Sequence, residues 1–180
     1  MTKNERIHEF DVLLRDVPNS TRMRDWLIDH DFFRVPASRK YHGAYEGGLF
    51  DHSLQVAQHL IALTENNNLQ WKRPESPVLV GIFHDLCKID QYICTGTDYE
   101  GHNQYKWNDN QLLKGHGDKS IILLSQLTTL TEEEILCIRY HMGAFVEKEE
   151  WNDYTRAVEK CPNVLWTHQA DMLASHVDGV

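Results

Sequence analysis

The sequence predicts an all-α domain with one irregular insertion, and three observations lead there. Apolar residues recur at helical spacing along most of the chain, as in Ile7, Phe10, Leu13, Leu14 and Val17. Helix punctuation falls between those segments: Pro77 opens one apolar run, Asn66 to Asn68 close another, and Thr131 stands three residues before Glu134. Only residues 91–110 depart from this pattern. They alternate polar and aromatic types, with Gly96 and Gly101 as turn candidates, and read as a small hairpin or irregular excursion.

In chain order, the first helix spans residues 4–17 and a short one follows over Arg22 to His30. Residues 34–48 read as a loop because Pro36, Gly43, Gly47 and Gly48 interrupt them. A helix from about Leu49 to Glu65 carries His52, and the asparagine run ends it. The next helix, SPVLVGIFHDLCKI, is apolar almost all round and therefore expected to be buried, with His84 and Asp85 towards its C-terminal part. Asp118 to Thr129 reads as a helix with Ile121, Ile122, Leu124 and Leu127 facing inward. The Thr131/Glu134 capping box starts a helix running to Tyr140, with His141 at its end. One or two further helices follow, and Asp171 lies within NVLWTHQADMLASHV.

The 180 residues suit one domain over residues 1–180, with a functional core of about 41–175 and the helices of residues 4–30 packed on it. No internal repeat, low-complexity tract or linker interrupts it. The formal charge is -9, and nearly all the excess acid lies beyond the first forty residues, densest at Glu132 to Glu134 and Glu147 to Glu150. A long duplex nucleic acid is therefore not an expected partner, because phosphate binding needs a basic face. No apolar stretch is long enough for a membrane helix. The opening MTKNERIHEF has no apolar signal core, and Cys87, Cys94, Cys137 and Cys161 show no CxxC spacing. These features point to a reduced, cytoplasmic protein with free thiols. Nothing in them sets an oligomeric state.

Six residues look like a dispersed metal cage: His52, the pair His84-Asp85, His116, His141 and Asp171. The steps between them are 32, 32, 25 and 30 residues, each about one helix plus one connection. Consecutive helices can thus each deliver a ligand to a common centre. Four neutral imidazoles and two carboxylates total about -2, so two divalent ions leave a centre of about +2 that attracts phosphate. Asp85, beside a histidine ligand, is the natural bridge between two ions, and a metal-bound water is the natural nucleophile. With one ion, His52, His84, Asp85 and Asp171 are the ligands, and His116 and His141 line the substrate pocket.

Lys88, three residues after Asp85, falls on the same helical face and can contact a phosphoryl oxygen; a solvated lysine fits the spacing as well. His116 between two glycines fits a turn as well as a ligand. Arg39, Lys40 and His42 form either a phosphate-binding lip or a solvated loop, and Lys119 and Arg139 are site-edge candidates. Trp107, Tyr92 and Tyr105 fit a base-stacking surface or a small satellite core. His8, His30, His59, His102, His168 and His176 read as surface or capping residues.

Five blocks carry a resemblance: GGLFDHSLQVA at 47–57, GIFHDLCK at 81–88, GHGDKS at 115–120, IRYHMGAF at 138–145 and HQADMLAS at 168–175. Together, from about Tyr41 to Ala174, they resemble the HD superfamily of metal-dependent phosphohydrolases. The resemblance implies an HD-domain-like helical bundle with the site at its centre, holding one or two divalent ions (Mn, Fe, Zn, Ni, Co or Mg). It implies hydrolysis of a phosphate ester of a nucleotide or small phosphodiester by metal-bound hydroxide, with Asp85 and Lys88 in catalytic roles. The two further histidines, His116 and His141, resemble the two-metal branch, which includes the HD-GYP phosphodiesterases. The HHExxDGxGYP stretch of that group is absent here, where the chain reads RYHMGAFVEKEE, so cyclic di-GMP does not follow as substrate. The same ligand order is similar to a di-iron oxygenase branch, and a metal-binding module without turnover is a further alternative.

Overall fold

The structure, a computed structural model, describes all 180 residues. It contains eight α-helices and one two-stranded sheet. The helices are α1 Lys3–Leu13, α2 Ser20–Asp29, α3 Gly48–Asn67, α4 Ser76–Phe83, α5 Gly117–Leu124, α6 Glu132–Arg139, α7 Trp151–Lys160 and α8 Asn163–Leu173. The hairpin pairs β1 Tyr92–Thr97 with β2 Asn103–Trp107, antiparallel, with a bulge between Cys94 and Gly96. Both strands are largely exposed, which fits an excursion from the helical body.

α3 is the central element and packs mainly against α4 and α8. A Cβ on Gly81 would lie 2.4 Å from the Cα of Ala57, so the α3 and α4 backbones touch where a larger residue would separate them. One continuous core takes in Phe10, Leu14, Met23 and Leu27 from the first two helices along with Phe50, Phe83, Ile138 and Val164. Phe10 meets Phe33 and Phe83 edge to face, at centroid separations of 5.8 and 6.3 Å. The N-terminal helices therefore share the core that surrounds the site. Arg6, on the buried side of α1, forms a forked pair with Asp51 of α3 at 2.7 and 2.8 Å.

The local signals explain most helix ends. Thr2 and Glu5 form a capping box on α1, and Thr131 and Glu134 form the expected one on α6. Asn68 ends α3 in the left-handed conformation at φ 52°. Glu133 and Glu134, in the densest acidic run, are buried. The Glu134 carboxylate accepts from Ser76 Oγ at 2.7 Å and Arg73 Nη2 at 2.5 Å, while that of Glu133 accepts from the Lys72 amide at 2.7 Å and Asn163 Nδ2 at 3.0 Å. The run ties α6 to the starts of α4 and α8, instead of forming a solvated acidic face.

Two expectations need correction. The helix expected to continue through Asp85 to Ile89 stops at Phe83, and a 3-10 turn follows over Leu86–Asp90. The His84 ring bonds the Gly81 carbonyl at 2.8 Å, and the Cys87 amide donates to Ser120 Oγ at 2.9 Å in place of a helical carbonyl. Lys88 accordingly reaches Asp85 across a 3-10 turn, not along an α-helical face. The second correction concerns α5, which is shorter than expected and leaves Ile122 exposed. Its inward face runs through Gly117, Ser120 and Leu124, set by the approach of Gly117 to the Arg139 backbone. Bonds from Gln126 to Leu123 and Leu127 to Leu124 then tighten the chain and turn Leu127 into the core.

Replacing Gly81 by Ala should force α3 and α4 apart. A loss of about 1–3 kcal/mol in urea unfolding is expected, typical of overpacking. An unchanged midpoint would show that the contact yields freely.

Candidate metal centre

Each cage residue stands where its element brings it inward. His52 lies in the first half of α3, His84 ends α4, and Asp85 sits in the break before the 3-10 turn. His116 caps the start of α5, His141 follows the last residue of α6 by two positions, and Asp171 faces inward from α8. The ligand atoms of His52, His84 and Asp85, of His84, His141 and Asp171, and of Asp85, His116 and His141 each lie within 4.8 Å of one another. Five helices and one break thus bring six residues, spread over 120 positions of sequence, into one buried cluster that can hold metal.

Asp85 divides the cluster. Its Oδ2 lies 3.7 Å from His52 Nε2 and 3.6 Å from His84 Nε2, while its Oδ1 lies 2.9 Å from His116 Nε2 and 3.5 Å from His141 Nε2. Asp171 Oδ1 stands 3.2 Å from His52 Nε2 and 3.9 Å from His84 Nε2. The two carboxylate oxygens therefore face two different histidine pairs.

The donor chemistry fits a cation. Nδ1 of His84 faces the Gly81 carbonyl at 2.8 Å, Nδ1 of His141 the Ile138 carbonyl at 2.7 Å, and Nδ1 of His52 the Val180 main-chain oxygen at 3.0 Å. These oxygens only accept, so each Nδ1 carries a proton and each ring turns its Nε2 into the cluster. His52 Nε2 and His84 Nε2 then face each other at 3.2 Å with two carboxylates beside them. Asp85 Oδ1 and His141 Nε2 are buried without a hydrogen bond. His116 Nε2 lies 2.9 Å from Oδ1, an ion-pair contact that offsets part of the charge on that oxygen. Converging acceptors without donors are costly when dry and favourable around a cation.

Electrostatics agree. Burial pushes His84 down to about 3, which keeps it neutral and able to ligate. Burial opposes the charge of Asp85, but Lys88, His84 and His116 hold its carboxyl well below the usual range. Burial likewise opposes the charge on Lys88, whose ammonium is 2.5 Å from Asp85 Oδ2, yet that carboxylate pushes Lys88 up to about 12. Burial lowers the pKa of His116 while Asp85 raises it, to about 10. Burial and the neighbouring His52 lower His42 to about 4, and its ring lies 5.1 Å from that of His52.

Of the other candidates, Lys88 and His42 are brought to the cluster. Lys40 is exposed and Arg39 half-buried on the 34–48 loop, and neither belongs to the cage. Lys119 is buried and pairs with Asp90 and with Gln111 Oε1, and Arg139 pairs with Asp118 at 2.5 Å and Glu150 at 2.6 Å. These two cations are neutralised by neighbours, and each lines a different cleft beside His116. A cleft of about 400 Å³ is lined by Cys87, Trp107, Lys114, His116 and Lys119. One of about 370 Å³ is lined by His116, Arg139, Met142, Phe145 and Glu150. A third, also about 400 Å³, lies around Lys72, Glu133 and Trp166 and contains no cage residue, so size alone does not mark the site.

Three contributors escape a motif reading. His168, expected at the surface, is half-buried, and its Nδ1 bonds the His141 carbonyl at 2.9 Å. Its spacing of three from Asp171 on one helix was the available signal. Ser120 receives the Cys87 amide and donates to the His116 carbonyl at 3.3 Å, joining two blocks. His59, also expected at the surface, pairs with Asp178 at 2.5 Å.

The raised pKa of His116 gives a signed prediction. At about pH 8 the metal-free ring is protonated, and an imidazolium has no lone pair to donate, so metal entry must expel its proton. Zinc titration calorimetry in buffers of differing ionisation enthalpy should show release of about one more proton from the wild type than from His116→Ala. Equal release would remove His116 from the ligand set.

No known family, curated protein or solved structure matches the chain. The molecule is mostly helical, has no helix long and apolar enough to cross a membrane, and carries a buried His/Asp cluster able to hold a metal ion.

Proposed function

We propose that the chain is a divalent-metal-dependent phosphohydrolase of the HD type, acting on a phosphate ester of a nucleotide or small phosphodiester. The observation that carries this reading is Asp85. Its two oxygens face two histidine pairs, and a buried lysine lies against one of them. The cage would hold one ion by His52, His84, Asp85 Oδ2 and Asp171, and a second by His116, His141 and Asp85 Oδ1. Divalent ions in such a site supply Lewis acidity and an acidified water.

The remaining work falls to the chain. Lys88 keeps its charge at every physiological pH and offers a fixed positive group to a phosphoryl oxygen. Burial of His52, His84, Asp85 and His141 excludes bulk water, which strengthens that interaction. His116 is the cage residue with its side chain 32% exposed, so a substrate approaches on its side. The two clefts lined by His116 give room for the rest of a substrate, with Trp107, packed on Tyr92, and Lys114 on one wall. An indole face and an ammonium suit a base and a phosphate.

Turnover of nitrophenyl phosphate mono- and diesters and of nucleotides by zinc- or manganese-loaded protein tests the reading. Asp85→Asn should lose metal and activity together. Lys88→Met should retain metal but lose about 10²–10³-fold in kcat, as expected for an electrostatic stabiliser. Turnover only with iron and oxygen would transfer the cage to oxygenase chemistry. Full metal loading without turnover across the panel would leave a binding module.

A further inference from the structure

The three buried cage histidines all present Nε2 to the centre by donating Nδ1–H to a main-chain oxygen, but they do not find that oxygen in the same way. His84 and His141 lie at or just past helix ends, and each reaches a carbonyl three residues earlier. His52 lies inside α3, where the preceding carbonyls are already occupied by helical amides. Its acceptor is the Val180 main-chain oxygen, 128 residues away.

We infer that residues 174–180 form part of the metal centre, with the Val180 main-chain oxygen fixing the tautomer and orientation of His52; this rests on the metal-binding reading of the cage. The segment is built for that position. Directly after α8 and Asp171 the chain widens into a π-turn over Ala174–Asp178, a local winding frequent at functional sites. Asp178 then pairs with His59, two helical turns beyond His52 on α3. Gly179 takes φ 77°, and this left-handed step turns the chain so that the Val180 amide donates to the Ala174 carbonyl at 3.2 Å. That closed turn aims the Val180 oxygen at His52. Asp171 and the acceptor of His52 are thus delivered by one continuous stretch, so a ligand and the group that orients its neighbour move together. Outer partners of this kind tune ligand basicity and geometry.

Gly179 provides the test because asparagine tolerates the left-handed conformation and valine does not. Long-range proton–nitrogen correlation spectra of the zinc-loaded protein report which ring nitrogen of each histidine carries a proton and how well it is protected from exchange. Gly179→Val should strip protection from His52 Nδ1–H while leaving His84 and His141 unchanged, and should weaken zinc binding by about 10–100-fold. Gly179→Asn should restore both. The unchanged His84 and His141 signals certify the fold; if Gly179→Val disturbs them, Asp178→Leu, which breaks the His59 pair, carries the same expectation. Survival of the His52 signal, or unaltered zinc affinity with the signal lost, overturns the inference. Asp171→Ala separates this from the underlying reading: if it binds zinc like the wild type, the metal assignment itself fails.

Discussion

The constraint on which the rest depends is the concentration of lone pairs in one dry volume. Three imidazole Nε2 atoms and two carboxylates point at a common centre, and Asp85 Oδ1 and His141 Nε2 have no donor there. An arrangement of this kind is unfavourable alone and favourable around cations, so the fold must hold it against its own repulsion. Lys88 and His116 supply the positive charge that the chain itself can provide, both against Asp85.

Holding it requires helices that cannot drift. The α3–α4 contact at Gly81 and the α5–α6 contact at Gly117 bring backbones together directly, where side chains would otherwise set the spacing. Buried polar groups secure the far ends. Arg6 and Asp51 lock α1 beside the residue preceding His52, and Glu133 and Glu134 join α6 to the starts of α4 and α8. Removing one partner of such a pair leaves an uncompensated buried charge, which costs about 3–5 kcal/mol, far more than an exposed pair contributes. These pairs serve the cage indirectly, by fixing the helices that carry its ligands.

The break after Phe83 is the local counterpart. Asp85, at φ -104° and ψ 19°, is where the α-helical winding ends, and it holds one oxygen near His52 and His84 and the other near His116 and His141. The 3-10 turn also brings Lys88 against Asp85, within reach of any anion bound there. Two clefts are lined by His116, the cage residue most open to solvent.

By itself the sequence determined the helical class, the hairpin excursion and the six cage residues. Helical periodicity, capping boxes and ligand-type side chains at one-helix intervals are local signals, written within a few residues of the elements they specify. Lys88 was legible too, because a spacing of three keeps it near Asp85 in either helix type. Only the tertiary structure decided the helix break, since Ser120, 33 positions away, takes the Cys87 amide that a longer helix would have used. It alone placed Ile122 outside, buried Glu133 and Glu134, and paired Lys119 and Arg139 with acids. It alone assigned His52 an acceptor at Val180. Each of these is a contact between residues far apart in sequence, made by backbone groups or by side chains whose type does not name a partner. Side-chain chemistry can be read one residue at a time, but who satisfies a buried polar group is settled only when the chain has folded.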